Sequence, residues 1–166
     1  MALRVGIISD THGHIDAAAL QHLESCDEIW HAGDIDSLSV LHALESLGST
    51  VRAVHGNVDG SEIRSIVPPF QQFAIGKLHI FITHIAGYGE QLPIDLIDHY
   101  HSRPFHVLVC GHTHIAKVRR LQNVDVLYLN PGAAGKFGPH TVRTLLLGTI
   151  DNGRFTEMNL VELGPK

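Results

Sequence analysis

Five short segments of the sequence carry side chains that bind metal ions, and each segment follows an apolar stretch of strand length. Seven residues in these segments are candidate ligands: Asp10, His12, Asp34, Asn57, His84, His112 and His114. Four imidazoles, two carboxylates and one amide are more than a tetrahedral zinc site uses. They match two first-row metal ions, octahedral or five-coordinate, that share a carboxylate.

The charge of this residue set indicates the class of substrate. Two carboxylates set against two divalent ions leave a net charge of about +2, because imidazole and amide ligands are neutral. Such a centre stabilises a bridging hydroxide and attracts an anionic phosphate. We therefore expect hydrolysis of a phosphoester by in-line attack of that hydroxide, with both ions stabilising the attacking and leaving oxygens.

The elements that must position these residues alternate between strand and helix in the first part of the chain. Apolar, β-branched runs predict strands at Leu3–Ile8, Glu28–His31 and Thr50–Val54, and helical spacing predicts helices over Ile15–Leu23 and Leu38–Leu47. Ligands bind beyond the carboxyl ends of strands in α/β sheets, so we expect the five segments to converge. Residues two apart in extended backbone point the same way, which predicts that the Asp-x-His and His-x-His pairs each face one region.

The rest of the chain is richer in strands. Phe70–Ile75 and Leu78–Thr83 predict a hairpin, followed by a helix over Leu92–Tyr100 and a strand over Phe105–Cys110. Four further alternating runs predict strands at Ala116–Leu121, Val124–Leu129, Val142–Ile150 and Phe155–Val161. We find no repeat or linker, and therefore expect a single α/β domain over residues 1–166.

Composition excludes several other classes of protein. Apolar residues make up 44% of the 166 residues and charged residues 17%, which argues against a disordered or coiled-coil chain. The net charge of −5 gives no basis for general nucleic-acid or membrane-surface binding. Two cysteines and no secretion-signal pattern predict a reduced, cytoplasmic protein. The sequence leaves a homo-oligomer open.

The order of these motifs resembles the calcineurin-like metallophosphoesterase superfamily. The form Gly56-Asn57-Val58-Asp59 and the short chain resemble its small prokaryotic phosphodiesterase branch, and Asn130-Pro131-Gly132 is a further family landmark. The resemblance covers nearly the whole sequence. It implies a four-layer α-β-β-α sandwich of two mixed β-sheets with a dinuclear metal centre.

The resemblance also implies a role for each candidate ligand. The first metal would be held by Asp10, His12 and His114, and the second by Asn57, His84 and His112. Asp34 would bridge the two ions and, with Asn57 and His84, form the catalytic set. Manganese is the expected metal, with iron, nickel or zinc as alternatives.

The sequence departs from the family pattern at the leaving group. Many members have a histidine directly after the asparagine, where it protonates the leaving group, and this chain has Val58. General acid catalysis contributes about 10²–10⁴-fold, so esters with poor leaving groups should react slowly. His14, His55 and Asp59 are candidate replacements, and Lys117 is a candidate for steering the substrate. His14, Asp59 and Lys117 are therefore the predicted substrate-binding residues.

Two other functions are compatible with the fold. The superfamily includes a small retromer subunit that acts as a protein-interaction scaffold with a degraded metal site, and some members are nucleases. All seven candidate ligands are present here with the expected residue types, which favours an enzyme. Nuclease members carry extra capping or DNA-binding segments, so a small phosphodiester is the expected substrate.

Overall fold

The computed structural model describes residues 2–166, which form ten strands and four helices. The strands are β1 (Leu3–Ile8), β2 (Glu28–His31), β3 (Thr50–Ala53), β4 (Phe70–Ile75), β5 (Leu78–Thr83), β6 (Val107–Val109), β7 (Ala116–Arg120), β8 (Leu127–Pro131), β9 (Val142–Asp151) and β10 (Arg154–Pro165). The helices are α1 (Ala17–Leu23), α2 (Leu38–Glu45), α3 (Ser61–Ile66) and α4 (Ile94–Ser102). None of these helices has the length and apolar character needed to cross a membrane.

The strands form two mixed, five-stranded sheets. The first has the order β10-β9-β1-β2-β3, in which β1, β2 and β3 are parallel and β9 is antiparallel to both of its neighbours. The second has the order β4-β5-β6-β8-β7, in which β5, β6 and β8 are parallel and both edge strands are antiparallel. In each sheet the carboxyl ends of three parallel strands therefore lie at one edge.

The two sheets pack face to face around an apolar core. Ile7 and Trp30 from the first sheet are buried in this core with Ile80, Val107 and Leu129 from the second. A second apolar cluster joins the outer face of the first sheet to α1, α2 and α3, and a third joins the second sheet to α4. These layers confirm the predicted α-β-β-α sandwich, and a single domain over residues 1–166 stays a prediction.

Side-chain caps set the starts of α1 and α2. The Asp16 carboxylate accepts a hydrogen bond from Ala19 N at 3.0 Å, so α1 begins at Ala17 rather than at the predicted Ile15. Ser37 Oγ accepts a hydrogen bond from the backbone N–H of Ser39, and α2 begins at Leu38 as predicted.

Helix α3 and strand β8 also differ from the sequence prediction. Helix α3 has no apolar periodicity to predict it, because Ile63 is the one residue of this short helix that is buried. Strand β8 begins at Leu127 rather than Val124, since Leu121 N donates to Val126 O at 3.0 Å and the intervening residues form a turn.

Candidate metal centre

The predicted metal-binding segments meet at the edge of the sandwich where the parallel strands end. Within the first sheet Asp10 N donates to Gly33 O at 2.9 Å, and within the second Gly111 N donates to His84 O at 3.0 Å. Between the sheets, the backbone N–H of His112 donates to Asp10 Oδ2 at 3.0 Å. The strand ends thus converge as the sequence predicts.

The backbone of five candidate ligands differs from the expectation of extended geometry. Positive φ angles between 46° and 67° occur at Asp10, His12, Asp34, His112 and His114. The Asp-x-His and His-x-His pairs do converge, but through left-handed conformations rather than extended backbone. Each such residue costs about 1–3 kcal/mol and persists only where the surrounding structure enforces it, typically at functional sites.

One group of potential ligands consists of Asp10, His12 and His114, whose donor atoms lie within 4.8 Å of one another. His114 Nε2 lies 3.1 Å from Asp10 Oδ1 and 3.5 Å from His12 Nε2. Asp10 Oδ1 is buried and accepts no hydrogen bond from the described residues. A buried carboxylate oxygen without a partner is costly, and a cation would satisfy it.

A second group consists of Asp34, His84 and His112, whose donor atoms also lie within 4.8 Å of one another. Asn57 joins this group, because its Oδ1 lies 3.1 Å from His84 Nε2 and 3.0 Å from His112 Nδ1. Ligand atoms bound about 2.1 Å from one ion at right angles lie about 3 Å apart. The measured separations therefore fit a divalent cation.

Asp34 lies between the two groups. Its Oδ2 is 3.2 Å from His84 Nε2 in the second group and 3.9 Å from His12 Nε2 in the first. Its other oxygen, Oδ1, accepts a hydrogen bond from Val58 N at 3.1 Å, which orients the carboxylate. The Asp34 carboxylate therefore lies within 4 Å of a histidine from each group.

Asp34 and His84 also shift each other's pKa. Burial alone would raise the pKa of Asp34, but the hydrogen bond and charge of His84 lower it overall. Burial alone would lower the pKa of His84, but the Asp34 carboxylate raises it. Each of the two groups therefore favours the charged form of the other.

Comparison with known proteins identifies the family of the chain. Residues 3–153 match the family model of the calcineurin-like phosphoesterase superfamily domain. The chain belongs to this superfamily. It is 30% identical over 145 residues to phosphodiesterase MJ0936 of Methanocaldococcus jannaschii, covering 78% of this chain and 83% of that protein.

Solved structures of the superfamily share the fold. A novel archaeal phosphodiesterase superposes with a TM-score of 0.75 at 27% identity, covering 97% of this chain and 100% of that one. Vps29 of Chaetomium thermophilum superposes with a TM-score of 0.75 at 16% identity, covering 99% and 100%, and this likeness concerns the fold alone. The relatives confirm a phosphoester hydrolase of the small prokaryotic branch.

His140, which no sequence motif identifies, orients a candidate ligand of the superfamily site. Its Nε2 lies 2.9 Å from Gly135 O, so we assign the proton to Nε2 and the lone pair to Nδ1. That Nδ1 lies 3.1 Å from His114 Nδ1, which then donates. The Nε2 lone pair of His114 is thereby left facing Asp10.

His84 is oriented in a comparable way from behind. Its Nδ1 lies 2.7 Å from the carbonyl oxygen of Ala32, so Nδ1 carries the proton and Nε2 faces Asp34 and Asn57. Partners of this kind fix the tautomer and ring orientation of histidine ligands.

His31, a second residue that the sequence does not single out, supports the loops from beneath. It is completely buried, its Nδ1 accepts from Gly33 N at 3.1 Å, and its Nε2 lies 2.9 Å from Thr11 Oγ1. Burial lowers the pKa of His31 to about 4, so its ring is neutral at pH 7. It therefore links the Asp10–His12 and Gly33–Asp34 segments without adding charge.

Two glycines allow the close approach of neighbouring ligands. A Cβ at Gly111 would overlap Ser9 Oγ and approach Asp10 Oδ2, and a Cβ at Gly56 would overlap Asp34 Oδ1. Neither glycine has a positive φ, so closeness rather than left-handed backbone explains their presence.

Asn130, predicted as a family landmark, supports the His-x-His segment. Its Nδ2 donates to Gly111 O at 2.9 Å and to Thr113 Oγ1 at 3.1 Å, while its Oδ1 accepts from Gly132 N at 3.0 Å. The landmark thus holds the residues on either side of His112, through the Gly111 carbonyl and the Thr113 hydroxyl.

The predicted substrate-binding residues are partly occupied by other contacts. Asp59 is buried, and its two oxygens accept hydrogen bonds from the backbone N–H groups of Asp36 at 2.6 Å and Gly56 at 2.7 Å. These contacts favour a role in positioning the Asn57 loop over contact with substrate. Lys117 Nζ donates to Tyr88 O at 2.7 Å.

The two histidines considered as general acids lie beside the ligand segments. His14 is half-buried, and its Nε2 is buried without a hydrogen-bond partner among the described residues. His55 is half-buried, with Nδ1 3.4 Å from Gly56 O. Contact of either residue with a substrate stays a prediction.

Proposed function

We propose that this phosphoester hydrolase is a phosphodiesterase that uses two divalent metal ions. The observation that carries the proposal is the position of the Asp34 carboxylate between His12 of one ligand group and His84 of the other. The match to a phosphodiesterase at 30% identity supports the diester specificity.

Each ion has its own ligands in this proposal. Asp10, His12 and His114 hold one ion, Asn57, His84 and His112 hold the other, and Asp34 is shared. Bound there, two divalent ions would activate water as a Lewis acid does and stabilise the charge on the phosphate oxygens. Manganese is our first choice for a mixed set of carboxylate, amide and imidazole ligands, and iron, nickel and zinc are the alternatives.

The catalytic set of the chain itself is Asp34, Asn57 and His84. Their oxygen and nitrogen atoms face the same small region, and Val58 N and Ala32 O hold two of them in orientation. Preorganised groups of this kind reduce the entropy lost in reaching the transition state.

The leaving group receives no proton from Val58, because an isopropyl side chain has none to donate. A substrate whose leaving oxygen is stable as an anion therefore reacts best at this site. The net charge of −5 disfavours extended nucleic acids, so we propose a small phosphodiester as substrate.

The deciding experiment is hydrolysis of bis(p-nitrophenyl) phosphate by chelator-stripped protein, with and without added Mn²⁺. We expect Mn²⁺-dependent release of p-nitrophenolate, faster than from the monoester p-nitrophenyl phosphate, and two metal ions per chain by elemental analysis. Faster hydrolysis of the monoester would contradict the diester specificity. Two bound ions without hydrolysis in Mn²⁺, Fe²⁺, Ni²⁺ or Zn²⁺ would indicate a scaffold.

A further inference from the structure

Four large apolar residues are exposed next to candidate ligands, three of them adjacent in sequence and one packed against a ligand ring. We call them the apolar rim, which consists of Val58, Ile85, Ile115 and Phe137. Their exposed fractions are 48%, 51%, 53% and 73%. Grouped apolar side chains that remain exposed around a polar site commonly mark a surface that binds a ligand.

Three members of the rim are held at the site by the chain itself. Val58, Ile85 and Ile115 directly follow Asn57, His84 and His114 in the sequence. Their backbones therefore lie one residue from candidate ligands. For Val58 a hydrogen bond adds to this, because its backbone N–H donates to Asp34 Oδ1 at 3.1 Å.

Phe137 reaches the site through the loop between β8 and β9. Its ring packs edge-on against the imidazole of His12, with the ring centroids 5.5 Å apart and an interplanar angle of 65°. Because its exposed fraction is the largest of the four, most of the ring is free to contact a bound molecule. An exposed aromatic ring offers a planar, apolar surface on which another ring can stack.

The charged residues near the site provide little for a second phosphate group. Arg64 is engaged by the backbone carbonyls of Asp59, Gly56 and Asn57 at 2.6, 2.9 and 3.2 Å. Lys117 Nζ is engaged by Tyr88 O.

Lys136 is the one lysine or arginine within the loop segments that carry the ligands and Phe137. It is exposed and precedes Phe137 in the sequence. A second phosphate group would therefore find one exposed cation within these loop segments.

We propose that the apolar rim binds the ester group that stays on phosphorus, and that this group is aromatic or otherwise apolar and uncharged. The proposal rests on the proposed function, since the phosphorus atom must lie at the metal centre beside Asp34 for its ester groups to reach the rim. The substrate class is then phosphodiesters with one apolar, preferably planar, ester group. Phe137 is the residue that determines specificity for that group.

The test uses diesters that share one leaving group. Methyl p-nitrophenyl phosphate and phenyl p-nitrophenyl phosphate both release p-nitrophenolate, so the size of the retained group is what differs. We expect Mn²⁺-loaded wild-type protein to favour the phenyl ester in kcat/KM by about tenfold, the size of one aromatic contact. The ratio of the two values in Phe137→Ala should fall by a similar factor, and Phe137→Tyr should retain it.

The ratio separates a specificity role from a structural one. The change in this ratio between wild type and a variant does not depend on the intrinsic reactivity of the two esters. It is also unaffected by any loss of folded or metal-loaded protein, because such a loss lowers both rates equally. Leu160→Ala is the matched control, because Leu160 is 52% exposed on the edge strand β10 and its truncation should leave the ratio unchanged.

Two outcomes would overturn the inference. An equal phenyl-to-methyl ratio in wild type and Phe137→Ala would exclude Phe137 as a specificity residue. A wild-type ratio near one, with Mn²⁺-dependent hydrolysis of both esters, would exclude an apolar ester subsite, leave the rim to a protein partner and keep the proposed function. Failure of Mn²⁺ to support hydrolysis of either ester would overturn both proposals.

Discussion

The imidazoles of His114 and His140 face each other through their Nδ1 atoms, which are 3.1 Å apart. Burial lowers the pKa of His140, so its ring is neutral at pH 7 and its Nδ1 accepts the proton that His114 donates. This contact fixes the tautomer of His114 and directs its Nε2 towards Asp10 Oδ1. His140 is thus a positioning residue for one half of the metal centre.

Replacing His140 with alanine should weaken metal binding. The Nδ1–H of His114 would lose its acceptor, and partners of metal-ligating histidines change metal affinity by about 10–100-fold. Competition of Mn²⁺ with a fluorescent chelator would measure the affinity of the variant. His101→Ala is the control, since His101 is an exposed histidine on α4. Wild-type affinity in His140→Ala would refute the positioning role.

Replacing Asp34 with asparagine should abolish most of the metal-dependent hydrolysis. The amide has the same shape but lacks the negative charge that two ions would share, so we expect a loss of about 100-fold or more in kcat/KM. The assay is p-nitrophenolate release from bis(p-nitrophenyl) phosphate with Mn²⁺.

Asp36→Asn is the matched control for that loss. Asp36 is exposed and has a similar left-handed backbone, with φ of 66° against 54° for Asp34. The control should retain the wild-type rate. A rate within a few fold of wild type in Asp34→Asn would contradict the shared-ligand assignment.

The seven candidate ligands stand out in the sequence because each lies where a strand ends. Runs such as Leu3–Ile8 and Phe105–Cys110 predict buried strands, and parallel strands in one sheet place their carboxyl ends at one edge. Local sequence therefore predicts both the candidate ligands and their convergence. The left-handed backbone of Asp10 and His12 is not predictable in this way, because hydrogen bonds to Gly33 and Asp34 impose it.

The supporting residues depend on contacts between distant segments. His140 lies 26 residues from His114 in sequence, and nothing in its own neighbourhood distinguishes it from the other histidines. His31 occupies a buried strand position, for which the sequence pattern alone predicts an apolar side chain. Phe137 approaches His12 only because the loop after β8 returns across the site. These roles arise from tertiary packing, which the periodicity of a single segment does not encode.

Replacing Gly111 with alanine should destabilise the protein and weaken the site. The added methyl group would overlap Ser9 and approach the Asp10 carboxylate, and overpacking of this kind lowers the free energy of unfolding by about 1–3 kcal/mol. Urea unfolding in the presence of a chelator measures this change without a contribution from bound metal.

Gly60→Ala is the control for the glycine replacement. A Cβ at Gly60 meets nothing within 4 Å, and its φ of −76° suits alanine. We expect its free energy of unfolding to stay within about 0.5 kcal/mol of wild type. An equally small effect of Gly111→Ala would show that the loop has room to move.

The buried His31 should make the stability of the protein fall in mild acid. Its pKa is about 4 in the folded protein, whereas an unfolded histidine titrates near 6.5. Between these values the unfolded chain binds the additional proton, so the free energy of unfolding decreases as the pH falls from 6.5 to 4. Above pH 6.5 this contribution of His31 to the free energy of unfolding is fully present. Its total loss on acidification through pH 4 is about 3 kcal/mol.

Substitution of His31 isolates this contribution from other titrating groups. His31→Gln keeps a polar side chain for Thr11 but cannot titrate, so its free energy of unfolding should vary less steeply between pH 6.5 and 4.5 than that of wild type. The control is His22→Gln, because His22 is exposed on α1 and should leave the wild-type slope intact. Both are measured by urea unfolding with a chelator present, so that protonation of metal ligands does not enter through metal release. Equal slopes for His31→Gln and wild type would mean that His31 accepts a proton in the folded protein, and that its hydrogen bonds to Gly33 and Thr11 do not hold it neutral.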